Sequence, residues 1–285
     1  MRLRGLPIEL ALVWLACSGT ERSTPITAKI ALRYHPPKGA IYHYVMDQAT
    51  RFGPDSGSDS GTANSMMIGF SQTIGSPASD GVPVTFAFDS SHVASPMLNP
   101  SAAGEATRRL DGLHTVTVYD DHLRPVRNDV SALSGLPPLV RDQLQVGFRI
   151  AALALPDQPV GPGDSWTNET ELPVGAIAGG APLVVNTKVT VREISVSSGD
   201  TTVRLGVETA LPDQPLKFSF GGQAFSVGLN GAITGEQVLS LTRGAVVDAS
   251  LGGTMHVSVT GGFFGPQGMR MRVDQRGTLK LIHSP

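Results

Sequence analysis

The chain has 285 residues, with 22 Lys and Arg against 24 Asp and Glu, a formal net charge of −2 and only 16% charged residues. That near-neutral balance supplies no electrostatic footprint for nucleic acid. A hydrophobic fraction of 40% is too high for wholesale disorder, and no uninterrupted apolar run reaches the length of a membrane-spanning helix. With 33 Gly, 21 Pro and a single Cys, the chain is rich in turns and can form no internal disulfide.

The first residues read as an export signal. Arg2 and Arg4 precede an apolar stretch from Leu10 to Ala16, and Cys17 follows it. The run LeuAlaLeuValTrpLeuAlaCys ending at Cys17 resembles the lipobox of bacterial lipoproteins, with Leu15 and Ala16 in the two places before the cysteine. Trp14 stands where that motif usually has Leu, and Glu9 interrupts the apolar stretch. The resemblance implies a signal peptide over 1–16, lipid attachment at Cys17 and a Ser/Thr-rich tether over 17–25. The expected location is then the bacterial cell envelope, lipid-anchored and facing the periplasm from the outer membrane where the organism has one. The alternative is a secreted or soluble periplasmic protein with an incidental cysteine.

Beyond the tether, period-two alternation predicts strands at short spacings. Ile30, Leu32 and Tyr34 give the first, and Tyr42, Tyr44 and Met46 the second, with ProProLysGly at 36–39 turning between them. Residues 51–63 read as a long hairpin loop. Its Asp55 and Asp59 lack the central glycine and terminal glutamate of a calcium loop, so no metal is expected there. Val84, Phe86 and Phe88, then Val116 and Val118, give further strands.

One segment breaks the pattern. From Leu136 to Leu155 the residues Leu139, Val140, Leu144, Phe148, Ala151 and Leu155 form a helical stripe, which predicts one long helix lying across a sheet. Strand signals then resume at Val185, Thr187, Val189 and Val191, which pair across the SerSerGlyAsp turn at 197–200 with Val203, Leu205 and Val207. Met255, Val257 and Val259, then Met269, Met271 and Val273, then Leu279 and Leu281 complete the chain. Gly228, Gly231, Gly252 and Gly253 in these last strands read as sites of curvature around a void. LeuProAspGlnPro occurs at 155–159 and again at 211–215, compatible with two similar β halves meeting near 156–182.

Two stretches carry a family resemblance: LeuArgTyrHisProProLysGlyAlaIleTyrHisTyrValMet at 32–46 and LeuProAspGlnProValGlyProGlyAspSerTrp at 155–166. They are similar to an uncharacterised group of bacterial secreted proteins and lipoproteins with a Tyr-x-Tyr strand and a Pro-x-x-Pro-Val-x-x-Gly-Asp-x-Trp segment. Lys38, Gly39, Tyr42 and Tyr44 match the first signature, and Pro156, Pro159, Val160, Gly163, Asp164 and Trp166 the second. The resemblance implies a shape and an address, with Tyr42, Tyr44, Gly163, Asp164 and Trp166 as a structural motif. A fold-level similarity to the half-open β-barrels that bind lipids or lipoproteins in bacterial envelopes is also expected.

Catalytic signatures are not found. The seven histidines are scattered singly without ligand spacing, GlySerAspSerGly at 57–61 has an aspartate where a nucleophile elbow needs serine, and GlyAlaIleAlaGlyGly at 175–180 lacks the ending of a phosphate loop. Arg270, Arg272, Arg276 and Lys280 give a basic C-terminal stripe, read as a solvated strand face.

The sequence therefore predicts a mainly β chain: an antiparallel barrel or half-barrel over 26–285, forming one domain, with one long covering helix at about 136–155. The expected function is non-enzymatic binding of a lipid or other hydrophobic ligand in the envelope, without cofactor or metal, the ligand-binding residues being unassigned. The alternative is a structural or assembly module that binds a protein partner through a strand edge.

Overall fold

The computed structural model describes residues 23–55, 61–94, 100–129, 131, 134, 153–172, 183–211, 215–220 and 223–283. Its strands are β1 (Thr24–Pro25), β2 (Ile41–Pro54), β3 (Thr62–Ile74), β4 (Val82–Ala94), β5 (His114–Tyr119), β6 (Pro125–Asp129) and β7 (Ser165–Leu172). There follow β8 (Leu183–Ser197), β9 (Asp200–Leu211), β10 (Leu216–Phe220), β11 (Gln223–Ser240), β12 (Ala245–Gly261) and β13 (Met269–His283). All thirteen belong to one antiparallel sheet with the main order β1-β8-β9-β11-β12-β13-β2-β3-β4-β5-β6. β7 also pairs with β8, and β10 with β11.

The sheet does not close on itself: β6 ends it on one side, and β1 with β7 on the other. The pairing of β13 with β2 joins the two ends of the chain in mid-sheet, Leu281 standing opposite Tyr44 and Val273 opposite Phe52. Several strands are long, with 14 residues in β2, 15 in β8, 18 in β11, 17 in β12 and 15 in β13. At about 3.4 Å per residue, a 17-residue strand spans roughly 55 Å.

Directly opposed residues share a face, so the register defines an inner surface across the whole sheet. It carries Trp166 on β7, Val189 and Val191 on β8, Leu205 on β9, Leu239 on β11, Tyr42 and Tyr44 on β2, Ile74 on β3 and Phe86 on β4. Strands as distant in the order as β8 and β4 contribute to a single buried cluster, so the sheet is rolled.

The gap between the two edges is bridged at one end of the roll by two irregular segments. Ile26 N–H donates to the Ile194 carbonyl, Ile30 and Val160 exchange backbone bonds, Tyr34 N–H donates to Asp121 O, and Leu155 N–H to His122 O. Leu32 is fully buried and Tyr34 is 6% exposed. The strand expected at Ile30–Tyr34 is thus a seam with one isolated bridge rather than a ladder member.

All four tyrosines of the chain, Tyr34, Tyr42, Tyr44 and Tyr119, lie in this packed end. Tyr34 meets Tyr119 edge to face at 6.0 Å, and Tyr44 stacks on Phe70 at 5.1 Å. Burial pushes the phenols of Tyr34 and Tyr44 well up from their ordinary range, and that of Tyr119 up to about 12.

Residues 135–152, which hold most of the helix expected at 136–155, lie outside the described residues. Its expected last turn is not helical: Leu153 and Leu155 are buried in the seam, and Leu155 is held by a backbone bond to the β5–β6 turn. The described helix is α1 (Pro100–Leu110), which packs on β4. Its Glu105 pairs with Arg108 and Arg109, and Leu110 is buried at its end.

The two tyrosines of β2 differ in one respect. The Tyr42 hydroxyl donates to the Arg243 carbonyl at 2.7 Å and so ties β2 to the β11–β12 turn, whereas the buried Tyr44 hydroxyl has no hydrogen-bonding partner among the described residues. Tyr42→Phe should therefore destabilise by about 1 kcal/mol, and Tyr44→Phe should be neutral or stabilising. Chemical denaturation of the two variants beside wild type checks the difference.

Candidate functional site

Followed along the strands away from the packed end, the inner face is no longer covered; it is mostly apolar on β11 and β12, while Gln275 of β13, Gln48 and Thr50 of β2 and Asn64 of β3 also stand on it. On β11 it continues through Ile233, Leu229 and Val227, on β12 through Leu251, Met255, Val257 and Val259, and on β13 through Met271 and Met269. Phe52 and Met46 of β2 and Met66 of β3 extend it across the sheet. These side chains are half-buried, apart from Met269, which is exposed, although the same face is sealed around Tyr44. From Leu251 to Val259 this open half runs eight residues, about 27 Å, close to the roughly 30 Å thickness of a bilayer's hydrocarbon core.

Three features suit this surface to an apolar occupant. Its opposite face is polar, with Asp248, Ser250, Thr254 and His256 on β12 and Arg270, Arg272, Arg276 and Lys280 on β13, so hydrophobicity is concentrated on the inside. Five of the eight methionines, Met46, Met66, Met255, Met269 and Met271, point inward, and their flexible thioethers adapt to ligands of varied shape. Near the start of the open half, Gly235 and Gly253 leave bare backbone on the inner face. β11 and β12 come so close there that a Cβ on either glycine would lie 2.0–2.1 Å from a carbonyl oxygen of the facing strand. Of the four glycines read from sequence as curvature sites, Gly231 and Gly253 face inward, and Gly228 and Gly252 face out.

The residues singled out from sequence take these places. Cys17 lies outside the described residues. Tyr42 and Tyr44 sit in the packed core, and Trp166 packs against the same cluster while its Nε1 donates to the Ala154 carbonyl at 2.9 Å. Gly163, at φ +92°, and Asp164 form the turn that leads into β7. The Asp164 carboxylate accepts from Gly161 N–H at 2.9 Å and pairs with Lys29 at 2.8 Å, tying the two seam segments together. Both resemblance motifs therefore converge on the packed end, and neither lines the open half. The surface residues that sequence reasoning left unassigned, such as Val257 and Met271, carry the same alternation as core strands.

Other groupings are less suited to chemistry. Asp120, Asp121 and His122 cluster in the β5–β6 turn, but Asp120 Oδ1 accepts the N–H groups of His122 and Arg124, and Asp121 pairs with Arg33 and His122. Asp55 contacts His256, whereas Asp59 lies outside the described residues. On the outer face Asp89 stands between Ser71, at 3.4 Å, and His43, at 3.9 Å. That order is wrong for activating a serine, which needs the imidazole next to the hydroxyl.

No protein-family model and no curated protein matches this chain. Among solved structures it is similar to lipovitellin, in a structure concerned with lipid–protein interactions, with a TM-score of 0.50 and 11% identity. The likeness is one of fold. It covers 88% of this chain and 26% of the lipovitellin chain, so this chain spans about a quarter of the length of that neighbour.

The seam has a pH signature. The Lys29 ammonium and Gly161 N–H hold the Asp164 carboxyl below its ordinary pKa. A carboxyl depressed in the folded state contributes stability above its unfolded pKa and loses it as pH falls through the folded one. Asp164→Asn should therefore lower the melting temperature at pH 7, and the gap from wild type should narrow below about pH 4. Melting curves of both proteins from pH 7 to pH 2 measure it; a gap independent of pH would dissociate Asp164 from the seam's electrostatics.

Proposed function

We propose that this protein binds a lipid or other hydrophobic ligand on the open half of its inner face, without catalysing a reaction. The carrying observation is the far length of that face: a largely apolar surface on β11, β12 and the end of β13, interrupted by Gln275 and by Gln48 and Thr50 of β2, half-exposed where the tyrosine-lined end is sealed. Leaving such a surface facing water is unfavourable by about 25 cal/mol per Å², which an apolar occupant would recover. The fold likeness to lipovitellin, a protein whose structure was described for its lipid–protein interactions, supports the same reading.

Within this proposal residues 26–285 act as one β-rich domain, and the stripe Leu139, Val140, Leu144 and Phe148 supplies the cover. Residues 130–152 connect Asp129, at the end of edge strand β6, to Leu153 in the seam beside β7. The basic start and the lipobox-like run ending at Cys17 support an exported bacterial lipoprotein, kin to the secreted group that the two motifs resemble, held at the envelope membrane. The assembly-module reading is less favoured because edge strand β6 is short and wholly exposed, and carries Pro125, Arg127 and Asp129, features that discourage strand addition.

Two experiments test this. The delipidated protein should bind a hydrophobic fluorescent probe saturably, at about one per molecule. Val257→Glu, at a half-exposed site flanked by Leu229 and Met271, should weaken that binding at least tenfold with little change in melting temperature; equal binding by both proteins would exclude the open half as the site. In the native host, Cys17→Ser should move the protein from the membrane fraction to the soluble envelope fraction, and unchanged fractionation would remove the anchor.

A further inference from the structure

At the far end of the open half, β12 and β13 are joined by GlyGlyPhePheGlyProGlnGly at 261–268, whose centre, Gly262–Phe264, is a single 3-10 turn. Phe263 is 73% exposed, the most exposed large hydrophobic side chain among the described residues. It is not a loose side chain. Its ring lies 4.4 Å from that of Phe264 and 5.3 Å from that of Phe225, and Phe225 is itself buried beneath the turn. Gly262 is what admits this packing, since a Cβ there would meet the Phe225 ring at 2.2 Å. The turn thus holds Phe263 outward on a built platform of the half-buried Phe264 and the buried Phe225.

The surroundings indicate what this ring would meet. Met269, also exposed, follows the turn on the inner face, so the aromatic tip continues the apolar surface of the open half. Arg270 stands just behind it on the outer face of β13, followed by Arg272, whose guanidinium pairs with Asp274 at 3.0 Å, and the inward pair Val259 and Met269 leads from the tip into the interior. An exposed aromatic ring ahead of a cation is an arrangement that suits a bilayer surface, with the ring at the acyl boundary and the guanidinium at the level of anionic headgroups.

We infer that the Phe263–Phe264 tip docks on a lipid bilayer carrying anionic headgroups and sets the mouth of the open half against the membrane. This rests on the proposed binding of an apolar ligand for its purpose, but the contact itself is a separate property of the tip. A protein that exchanges lipid with a membrane must bring its apolar surface to that membrane without exposing the ligand to water, and a tip at the lip of the site does this.

The test uses the full chain carrying Cys17→Ser, so that no N-terminal acyl group contributes. Sedimentation with vesicles of zwitterionic lipid, and with vesicles that also carry anionic lipid, should show binding that is stronger to the anionic ones and weakened by salt. Phe263→Ser with Phe264→Ser should reduce vesicle binding at least tenfold, whereas Val257→Glu, which weakens probe binding, should leave vesicle binding within about twofold of wild type, which separates this inference from the ligand site. Arg270→Gln should weaken binding to anionic vesicles only. Because the double variant alters a packed turn, Phe263→Trp provides a second measure: its indole emission should shift to the blue on adding vesicles and be quenched by brominated lipid. Wild-type binding by the double variant, an unshifted indole, or a dimer that Phe263→Ser dissociates would overturn the proposal, the last by showing that a second copy of the chain covers the tip.

Discussion

Two strand edges that do not pair with each other must nevertheless be held close, and everything else in this molecule depends on how that is done. A closed barrel would seal them with a ladder of backbone hydrogen bonds along their whole length. Here four backbone links, the Lys29–Asp164 ion pair and the Arg33 contacts to the Pro156 and Asp157 carbonyls act only at one end. Side chains supply the rest. Tyr34 and Leu32 from one seam segment and Leu153 and Leu155 from the other fill the roll beside Tyr42, Tyr44 and Tyr119. Large aromatics suit this task because each covers much apolar area with few rotatable bonds.

The same arrangement divides the interior into two unlike halves. Where the seam segments enter, the inner face is covered and dry; where they do not, equivalent residues on the same strands are left half-covered. Leu239 and Val227 lie on one face of β11, yet the first is buried and the second is not. The half-covered surface is thus a consequence of incomplete filling, not of a dedicated constellation of polar groups. The inward glycines near the start of the open half let β11 and β12 approach while contributing no side chain to the space they face.

Much of this fold was legible in the sequence, and its omissions have physical causes. The alternation at Val185–Val191 and Val203–Val207 correctly gave the β8–β9 hairpin because one face is buried and the other wet. At Leu32 and Tyr34 the same signal marked burial, yet the backbone has no ladder; periodicity reports where side chains go and is silent about backbone partners. Met269–Val273 and Leu279–Leu281 read as two strands, whereas Gln275 and Gly277 continue one ladder between them. Helix α1 escaped notice because SerAlaAlaGlyGluAlaThrArgArgLeu offers one large apolar residue and no stripe, although Glu105 with Arg109 and a following Gly112 are helix signals. The open half was the least legible part. Val189 in the core and Val257 on the open surface are the same residue in the same alternation, and only what stands across from each tells them apart.

The irregularities of the sheet bear on its mechanics. Register shifts occur at Val191–Glu193, Val238–Leu239, Leu281–His283, Gly69–Phe70 and Val118–Tyr119, toward the packed end of their strands, while beyond them the ladders of β11, β12 and β13 run without interruption. Bulges are where a sheet bends most readily. A rotation of about 10° about the packed end would move strand tips about 27 Å away by about 5 Å. A sheet hinged in this way can change the width of its mouth without breaking a hydrogen bond in the surface that would hold the ligand.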